Sequence, residues 1–433
     1  MILPYVHYSA YLGVELQQAR QEGRDLAALE GAAARINALS DPYEKERQAA
    51  KFFDEVQSLP CTRAEPDVMP DVSALVPGDA PQAPDRMLGG IHGASAGALL
   101  GVAFETWPHT TIAALLRGIG AFPPRKPIAL DQLPQTIRAR FGIGEPAAAT
   151  ARAGTAPACI ATDGMMLALL VAEAGSCDAM PESLAEQLVR YAPLLTMPPA
   201  YRVAARNLLL GVSAGSAARL RNPFREFSAA QAFSGMFGLL YAGDAASAVR
   251  AAWTAASLAH VKNGLYAPAY LAALSALADE RTATAELVTA AKAVVPPQSR
   301  LAEAIDEAIA LQAQHRDPLE AMQRLHAQWS DKEFYGANHA VPNAAIVTLA
   351  LLYGGYDLER TLGLALLAGH HTTINCAAVG GIVGAALGAA RLPEAWIDPV
   401  RDGMRTRLAE HAFAPAEQLV HRMEAVIDAR EPA

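Results

Sequence analysis

Five polar residues stand at the start of one of the most apolar segments of the chain. His370, His371, Thr372, Thr373 and Asn375 precede a run of Ala, Gly and aliphatic residues that is typical of a buried helix. Imidazole can donate or accept a proton near neutral pH, and hydroxyl and amide groups can orient a substrate. Because capping a helix needs only one such residue, the five together favour a functional site at this helix end.

Two other interpretations of these residues remain open. They could only cap the helix and satisfy buried polar groups, with Thr372 or Thr373 as the N-cap. Alternatively, the imidazoles could bind a transition metal, since nitrogen ligands suit zinc or iron. Adjacent histidines rarely both reach one ion, and the chain has no HxH, HxxxH or HExxH spacing. We therefore favour an acid/base site without a metal.

The elements that must position these residues are helices. Helical periodicity dominates the chain, and alternating strand patterns are nearly absent, so the fold class is predicted to be all-α. Residues 1–61 are predicted to form an N-terminal helical lead-in, and residues 62–86 a Pro/Asp-rich connector. The main domain is then expected to cover residues 87–433.

Composition excludes several function classes. The 433 residues are 52% apolar and 18% charged with a net charge of −9, which is typical of a large globular core and unlike a nucleic-acid-binding protein. The longest apolar segments are interrupted before membrane-spanning length, and the start MILPYVHYSAYLG lacks a signal-peptide pattern. Cys61, Cys159, Cys177 and Cys376 show no metal-binding spacing. We expect a cytoplasmic protein without a nucleic-acid or membrane partner.

Two series of glycines recur every four residues. They are Gly93, Gly97 and Gly101, and Gly380, Gly384 and Gly388. This spacing puts each series on one helix face, where the missing side chains allow another backbone to come close. Each internal glycine costs about 1 kcal/mol of helix propensity, so a compensating contact is expected. The pattern predicts two central helices packed almost backbone to backbone.

Several blocks of the chain resemble, in order, those of the ADP-ribosylglycohydrolase family. They include DRMLGGIHGASAGALLGVAFETW, RNPFREFSAAQAFSGMFG, AASLAHVKNGLYAPAYLAALSA, VPPQSRLAEAI and the long block from NHAVPNAAIV to LPEAWI. The resemblance covers most of residues 86–400, and SLAHVKNGLY and VPNAAIV are similar to a bacterial branch. It implies a compact many-helix domain with a central cleft. It also implies hydrolysis of the glycosidic bond of ADP-ribose adducts with two magnesium ions.

The magnesium-binding motifs of the family are largely missing. The late DTD-type motif falls on His371, Thr372 and Thr373, and of the early DDT-type motif only Thr162 and Asp163 are kept. Two dications about 4 Å apart repel by about 16 kcal/mol at an effective dielectric constant of 20, and magnesium needs oxygen anions to offset this. We therefore predict no binuclear magnesium site, and we expect no cofactor.

Glu105 in GVAFETW matches the position of a family glutamate that follows the glycine-rich first helix. Its apolar neighbours are expected to raise its pKa, so that it could act as a general acid or base. The alternative is a buried structural carboxylate paired with an arginine. In our interpretation Glu105, His371 and Thr373 are the catalytic residues, the last two replacing the metal side of the site.

Further polar residues in the matching blocks are predicted to bind the substrate. His260, Lys262 and Asn263 are expected at a helix end facing the cleft, although His260 could simply be a core histidine. His339 and Asn343 flank a helix start whose free N–H groups favour phosphate. In the alternative interpretation as a transition-metal site, His260 and His339 would be further ligands. The full predicted substrate-binding set is Thr162, Asp163, His260, Lys262, Asn263, His339, Asn343, His370, Thr372 and Asn375.

The predicted function is glycosidic bond hydrolysis by acid/base catalysis, without metal, on a ribosyl or nucleotide-like small molecule. One alternative is another acid/base reaction, an elimination or a cyclisation, in a specialised biosynthetic pathway. The other is a non-catalytic nucleotide-binding pseudoenzyme, because lost carboxylates are also what loss of catalysis would produce.

Overall fold

The computed structural model describes residues 7–73, 75–144, 157–175 and 180–430, so Cys177 lies outside the described residues. Helices make up most of this structure, which confirms the all-α prediction. The α-helices before residue 220 are α1 Leu12–Gln21, α2 Ala32–Asn37, α3 Pro42–Ser58, α4 Pro84–Val102, α5 His109–Gly118, α6 Gln135–Phe141, α7 Ile160–Glu173, α8 Met180–Tyr191, α9 Pro199–Leu209 and α10 Ala214–Ala217.

The second half of the chain continues the helical pattern. Its α-helices are α11 Gln231–Leu240, α12 Ala245–Ala256, α13 Asn263–Leu277, α14 Thr284–Lys292, α15 Arg300–Gln314, α16 Pro318–Gln328, α17 Phe334–Asn338, α18 Ala340–Gly354, α19 Leu358–Leu367, α20 Thr372–Leu387, α21 Glu394–Ile397 and α22 Ala416–Asp428. Two short strands, β1 Gly403–Arg405 and β2 Phe413–Pro415, pair antiparallel near the C-terminus.

Short 3-10 helices connect several of these elements. They are Tyr8–Tyr11, Ala27–Leu29, Leu130–Gln132, Leu194–Thr196, Ser228–Ala230, Ala389–Arg391 and Asp398–Val400. Among the described helices, none is long and apolar enough to cross a membrane.

The centre of the fold is the antiparallel pair α4 and α20. A Cβ added at Gly93 would lie 2.1 Å from the carbonyl oxygen of Gly380, and one added at Gly97 would lie 2.0 Å from that of Cys376. Since real Cβ atoms do not approach an oxygen so closely, only glycine fits these positions. This confirms the predicted backbone-to-backbone packing of two helices.

The same pairing brings the end of α4 to the beginning of α20. A Cβ at Gly101 would lie 2.3 Å from the carbonyl oxygen of Thr372, and the Thr372 hydroxyl donates to the carbonyl of Gly101 at 2.8 Å. Glu105 follows directly after α4 and therefore lies at the N-terminus of α20. Gly388 differs from Gly380 and Gly384, because it follows the last residue of α20 with φ +76°, and a Cβ there would meet the side-chain carboxylate of Asp85 in the first turn of α4 rather than a backbone carbonyl.

The N-terminal lead-in has a small apolar core of its own. Its buried members are Leu12, Ala19, Ile36, Ala49, Phe52, Phe53 and Val56. Three polar residues of α1, Glu15, Gln18 and Glu22, are also buried because they face the main helices instead of solvent. The predicted division into lead-in, connector and main domain remains a proposal.

A buried network of charges joins the lead-in to the main helices. The Arg225 guanidinium donates to Glu15 at 2.7 Å and to Glu22 at 2.9 Å. Arg300 forms a second pair of contacts, with Glu65 of the connector at 2.6 Å and with Glu226 at 2.7 Å. Removing one partner of a buried ion pair leaves the other charge uncompensated, so these contacts fix the lead-in to the main helices.

Candidate active site

The carboxylate of Glu105 lies against the first turn of α20. Its Oε2 accepts hydrogen bonds from the backbone N–H of Thr373 at 2.9 Å, from the Thr373 hydroxyl, and from the Thr372 hydroxyl at 3.4 Å. The helix starts at Thr372 and its N-cap, His371, makes no capping hydrogen bond through its side chain. Glu105 therefore supplies the cap from another element, and the positive end of the helix dipole faces a carboxylate. This differs from the alternative in which Thr372 or Thr373 is the N-cap.

His371 connects Glu105 to a serine that sequence reasoning missed. Its Nε2 lies 3.3 Å from Oε1 of Glu105, and its Nδ1 lies 2.8 Å from the hydroxyl oxygen of Ser228. Ser228 is 1% exposed, whereas the Glu105 side chain is 29% exposed. In the row Ser228–His371–Glu105, the serine is thus the buried end and the carboxylate is the end exposed to solvent. Glu105 is the member that can meet a substrate or water.

Asn343 holds the backbone that carries His371. Its Oδ1 accepts from the backbone N–H of His371 at 3.1 Å and from the side-chain amide of Asn375 at 2.7 Å. Its own amide donates to the carbonyl oxygen of His339 at 2.8 Å. Asn343 lies in the first turn of α18, whose N-cap is His339, which confirms the predicted helix start. Both asparagines position the site from inside and are fully buried.

A family model described as ADP-ribosylglycohydrolase matches residues 79–428. The chain belongs to the ADP-ribosylglycohydrolase family. Of the 34 solved chains that match, one described as an "ADP-ribosylglycohydrolase-related protein complex" is 18% identical. That match covers 80% of this chain and 99% of that chain, with a TM-score of 0.47. A comparison with curated proteins found no match.

At Thr162 and Asp163, where the resemblance places the early family motif, the polar groups are bound by other residues of this chain. The Thr162 hydroxyl contacts the backbone of Cys159 and forms part of the capping box of α7. Asp163 is 1% exposed, and Arg407, in the turn between β1 and β2, donates to both of its oxygens at 2.7 Å. Burial raises the pKa of Asp163, and Arg407 opposes that effect. Neither residue contacts Glu105 or His371 among the described contacts.

Four other predicted substrate-binding residues lie in or beside the buried charged network. Asn263 contacts both Glu65 and Glu226, and Lys262 contacts Glu22 and Cys61. They lie at the N-terminus of α13, with Lys262 as its N-cap, whereas the sequence suggested the end of the preceding helix.

The two histidines of this group are equally enclosed. His260 packs its ring against Tyr201 with centroids 5.4 Å apart, and His339 stacks on Trp329 at 4.6 Å. At 1% and 0% exposure they correspond to core histidines. Substrate binding by these four residues stays a prediction that their described contacts do not support.

His370 and His371 have different partners although they are adjacent. His370 adopts a left-handed backbone conformation with φ +61°, and its ring stacks on His326 with centroids 5.3 Å apart. Within the described part of the chain, His370 has no contact with Glu105. Of the five polar residues at this helix end, four therefore belong to the Glu105 site and His370 to a neighbouring cluster.

Buried neutral histidines predict a loss of stability in acid. Burial lowers the pKa of His260 to about 3, below the value near 6.5 of an unfolded chain. Below pH 6.5 the imidazole is therefore protonated in the unfolded state but not in the folded state. As the pH falls through this range, His260 lowers the free energy of unfolding by up to about 1.4 kcal/mol per pH unit. Urea unfolding between pH 6.5 and 5 should show a smaller slope for His260→Gln than for the wild type. His421→Gln, at a 79% exposed side chain, is the control and should keep the wild-type slope.

Proposed function

We propose that this chain hydrolyses the glycosidic bond of a ribosyl or nucleotide-like small molecule, with Glu105 as general base. The observation that carries the proposal is the anchoring of one partly exposed carboxylate on both oxygens, Oε2 by Thr373 and Oε1 by His371. A base fixed in this way loses little orientational freedom when it meets water. Family membership supports the glycosidase reaction class.

In this proposal Glu105 takes a proton from a water molecule whose oxygen attacks the anomeric carbon. The new C–O bond forms as the glycosidic bond breaks, and the bonding electrons leave with the departing group. His371 and Thr373 act through Glu105 as positioning residues, because Thr373 donates to Oε2 and the His371 ring lies 3.3 Å from Oε1. Ser228 fixes the ring of His371 from the buried side. This role for His371 is narrower than the catalytic one suggested by the sequence.

The short contact within the site limits the substrates that it could cleave. Two catalytic carboxyl groups stand about 5 to 5.5 Å apart in retaining glycosidases and about 6.5 to 9.5 Å apart in inverting ones. Glu105 and His371, with 3.3 Å between them, act as one unit on one side of the bond. We therefore propose a leaving group that departs without a proton. A ribosyl pyridinium such as NAD fits, since the electrons of the C–N bond neutralise the ring.

The residues of the site do not suit the magnesium pair that the family resemblance implies. Both oxygens of Asp163 receive hydrogen bonds from Arg407, and the hydroxyls of Thr372 and Thr373 donate to other groups. Two dications need several oxygen anions, and the described contacts of this site offer only Glu105. We propose that the reaction does not use magnesium.

The test is turnover of a small set of ribosyl compounds by protein treated with EDTA. NAD, ADP-ribosylarginine and a nucleoside are incubated with the protein, and the released base or guanidine is quantified. We expect hydrolysis of NAD to exceed that of ADP-ribosylarginine, with no decrease on chelation and no increase with millimolar Mg²⁺. Activity that disappears with EDTA and returns with Mg²⁺ would contradict the proposal. A ligand-induced thermal shift without turnover would favour the non-catalytic alternative.

A further inference from the structure

Three residues far apart in the sequence form a cluster beside His370. The imidazole–aspartate cluster consists of His109, the first residue of α5, His326 near the end of α16, and Asp331 just beyond it. One ligand atom from each residue lies within 4.8 Å of the others. The rings of His109 and His326 stack with centroids 3.8 Å apart and 13° between their planes. Two imidazoles and a carboxylate are the donor types that zinc sites use.

The carboxylate of the cluster is buried among histidines. The Asp331 side chain is 3% exposed, and its Oδ2 accepts from the backbone N–H of His109 at 2.5 Å and lies 2.8 Å from Nδ1 of the same residue. Burial by itself would raise the pKa of Asp331, but the hydrogen bonds from His109 lower it to about 2. In the described part of the chain, no lysine or arginine forms an ion pair with Asp331. Its negative charge thus faces ring nitrogens that can bind either a proton or a metal.

The surroundings keep ring nitrogens available inside the protein. His326 uses Nε2 in a 2.8 Å contact with the carbonyl oxygen of Ala368. Among the described residues its buried Nδ1 makes no well-formed hydrogen bond, although the backbone of Met322 also interacts with the ring. Nε2 of His370, whose ring stacks on His326, likewise makes no well-formed hydrogen bond among the described residues, although the backbone of Trp329 interacts with this ring. Gly369 has φ +68°, and a Cβ there would lie 2.8 Å from Oδ2 of Asp331. Glycine at this position therefore permits the close approach of the carboxylate.

We propose that the imidazole–aspartate cluster binds one transition-metal ion of the zinc class, with His109, His326 and Asp331 as ligands. Zinc holds nitrogen and oxygen ligands at about 2.0 to 2.2 Å, so tetrahedral ligands are about 3.4 Å apart. Nδ1 of His109 and Oδ2 of Asp331 are 2.8 Å apart at a hydrogen-bond distance, so an ion would replace the proton between them and move the two atoms about 0.6 Å apart. The ring of His326 is stacked on His109 and must turn about its side-chain bonds to direct a lone pair at the ion. Water completes the coordination. Magnesium is disfavoured because it prefers oxygen ligands throughout.

This site is separate from the proposed catalytic group. His371 contacts Glu105, and His370 contacts the cluster, so a metal here would hold the turn before α20 without touching the substrate. Binding can be measured without any substrate. Failure of the metal site and failure of the proposed hydrolysis are therefore distinguishable.

The experiment titrates the full chain, freed of metal by EDTA and desalted, with Zn²⁺ in a calorimeter and with Co²⁺ in a spectrophotometer. We expect one equivalent of Zn²⁺ to bind, tetrahedral Co²⁺ absorption to develop, and the melting temperature to rise with Zn²⁺ but not with Mg²⁺. His109→Ala and Asp331→Asn should each weaken Zn²⁺ binding by at least about tenfold.

The matched control is His315→Ala. His315 also has a 25% exposed side chain and a carboxylate partner, Glu320, at 3.1 Å, but among the residues that the structure describes no third ligand joins this pair. This variant should bind Zn²⁺ as the wild type does. The proposal is overturned if the wild type takes up no Zn²⁺ at 100-fold excess. Binding that is unchanged in both His109→Ala and Asp331→Asn would equally overturn it, since the metal would then sit elsewhere, for example at Cys61.

Discussion

Glu105→Gln is expected to lower the turnover number by about 10³-fold, within the range that loss of a general base produces. Glutamine keeps the length of the side chain and can still accept from the N–H of Thr373, but its amide cannot take a proton from water. The measurement is kcat on the substrate that the wild type turns over best, followed by KM and the melting temperature of each protein. We expect KM to change little, because the variant removes a proton acceptor rather than a binding surface.

Two further variants distinguish the loss of the general base from the loss of a residue that positions it. Ser228→Ala should lower kcat by about tenfold, because the ring of His371 loses one of its two contacts but Glu105 remains. Glu303→Gln changes a 62% exposed carboxylate and should leave kcat unchanged. If Glu105→Gln keeps more than a tenth of the wild-type turnover while Ser228→Ala is inactive, Glu105 is not the base.

Gly97→Ala is expected to be among the most damaging glycine-to-alanine substitutions in the described part of the chain, with a loss of about 3 kcal/mol or more of unfolding free energy. The new methyl group would lie 2.0 Å from the carbonyl oxygen of Cys376, so two helix backbones must separate to admit it. Urea unfolding measured by circular dichroism gives the difference from the wild type. Activity should fall as well, because Glu105 and Thr373 lie at the end of the same helix pair.

Gly13→Ala is the control for this substitution. Gly13 lies in α1, and a Cβ there would meet nothing within 4 Å. Alanine should raise the free energy of unfolding by up to about 1 kcal/mol through its better helix propensity. A Gly97→Ala protein as stable as the wild type would mean that the close packing of α4 and α20 does not restrict this position.

Much of the central architecture could be predicted from local sequence patterns. Glycines at a spacing of four identify the contact face of α4 because a helix repeats its faces at that interval. The polar residues at the N-terminus of α20 stand out for a similar reason, since they interrupt an otherwise apolar segment. Such signals are contained within a few turns of chain and need no knowledge of the rest of the fold.

The partners of these residues could not be predicted, because they come from distant parts of the chain. Ser228 is 143 residues from His371, and a lone serine in NPFREFS has no local pattern. His109 and Asp331 are 222 residues apart, so no metal-ligand spacing marks them. The different directions of His370 and His371 depend on one positive φ angle, which residue type alone does not indicate.

The ion pairs between α1 and Arg225 have a consequence for synthesis on the ribosome. Glu15 is 210 residues from its arginine, so at about 5 to 20 residues per second the helix waits about 10 to 40 s for its partner to be translated. During that time the face of α1 that is buried in the folded protein is expected to be exposed to water or bound by a chaperone. Helix α1 is thus expected to dock only after Arg225 has been translated, and nascent chains stopped before residue 225 should leave it open to proteases.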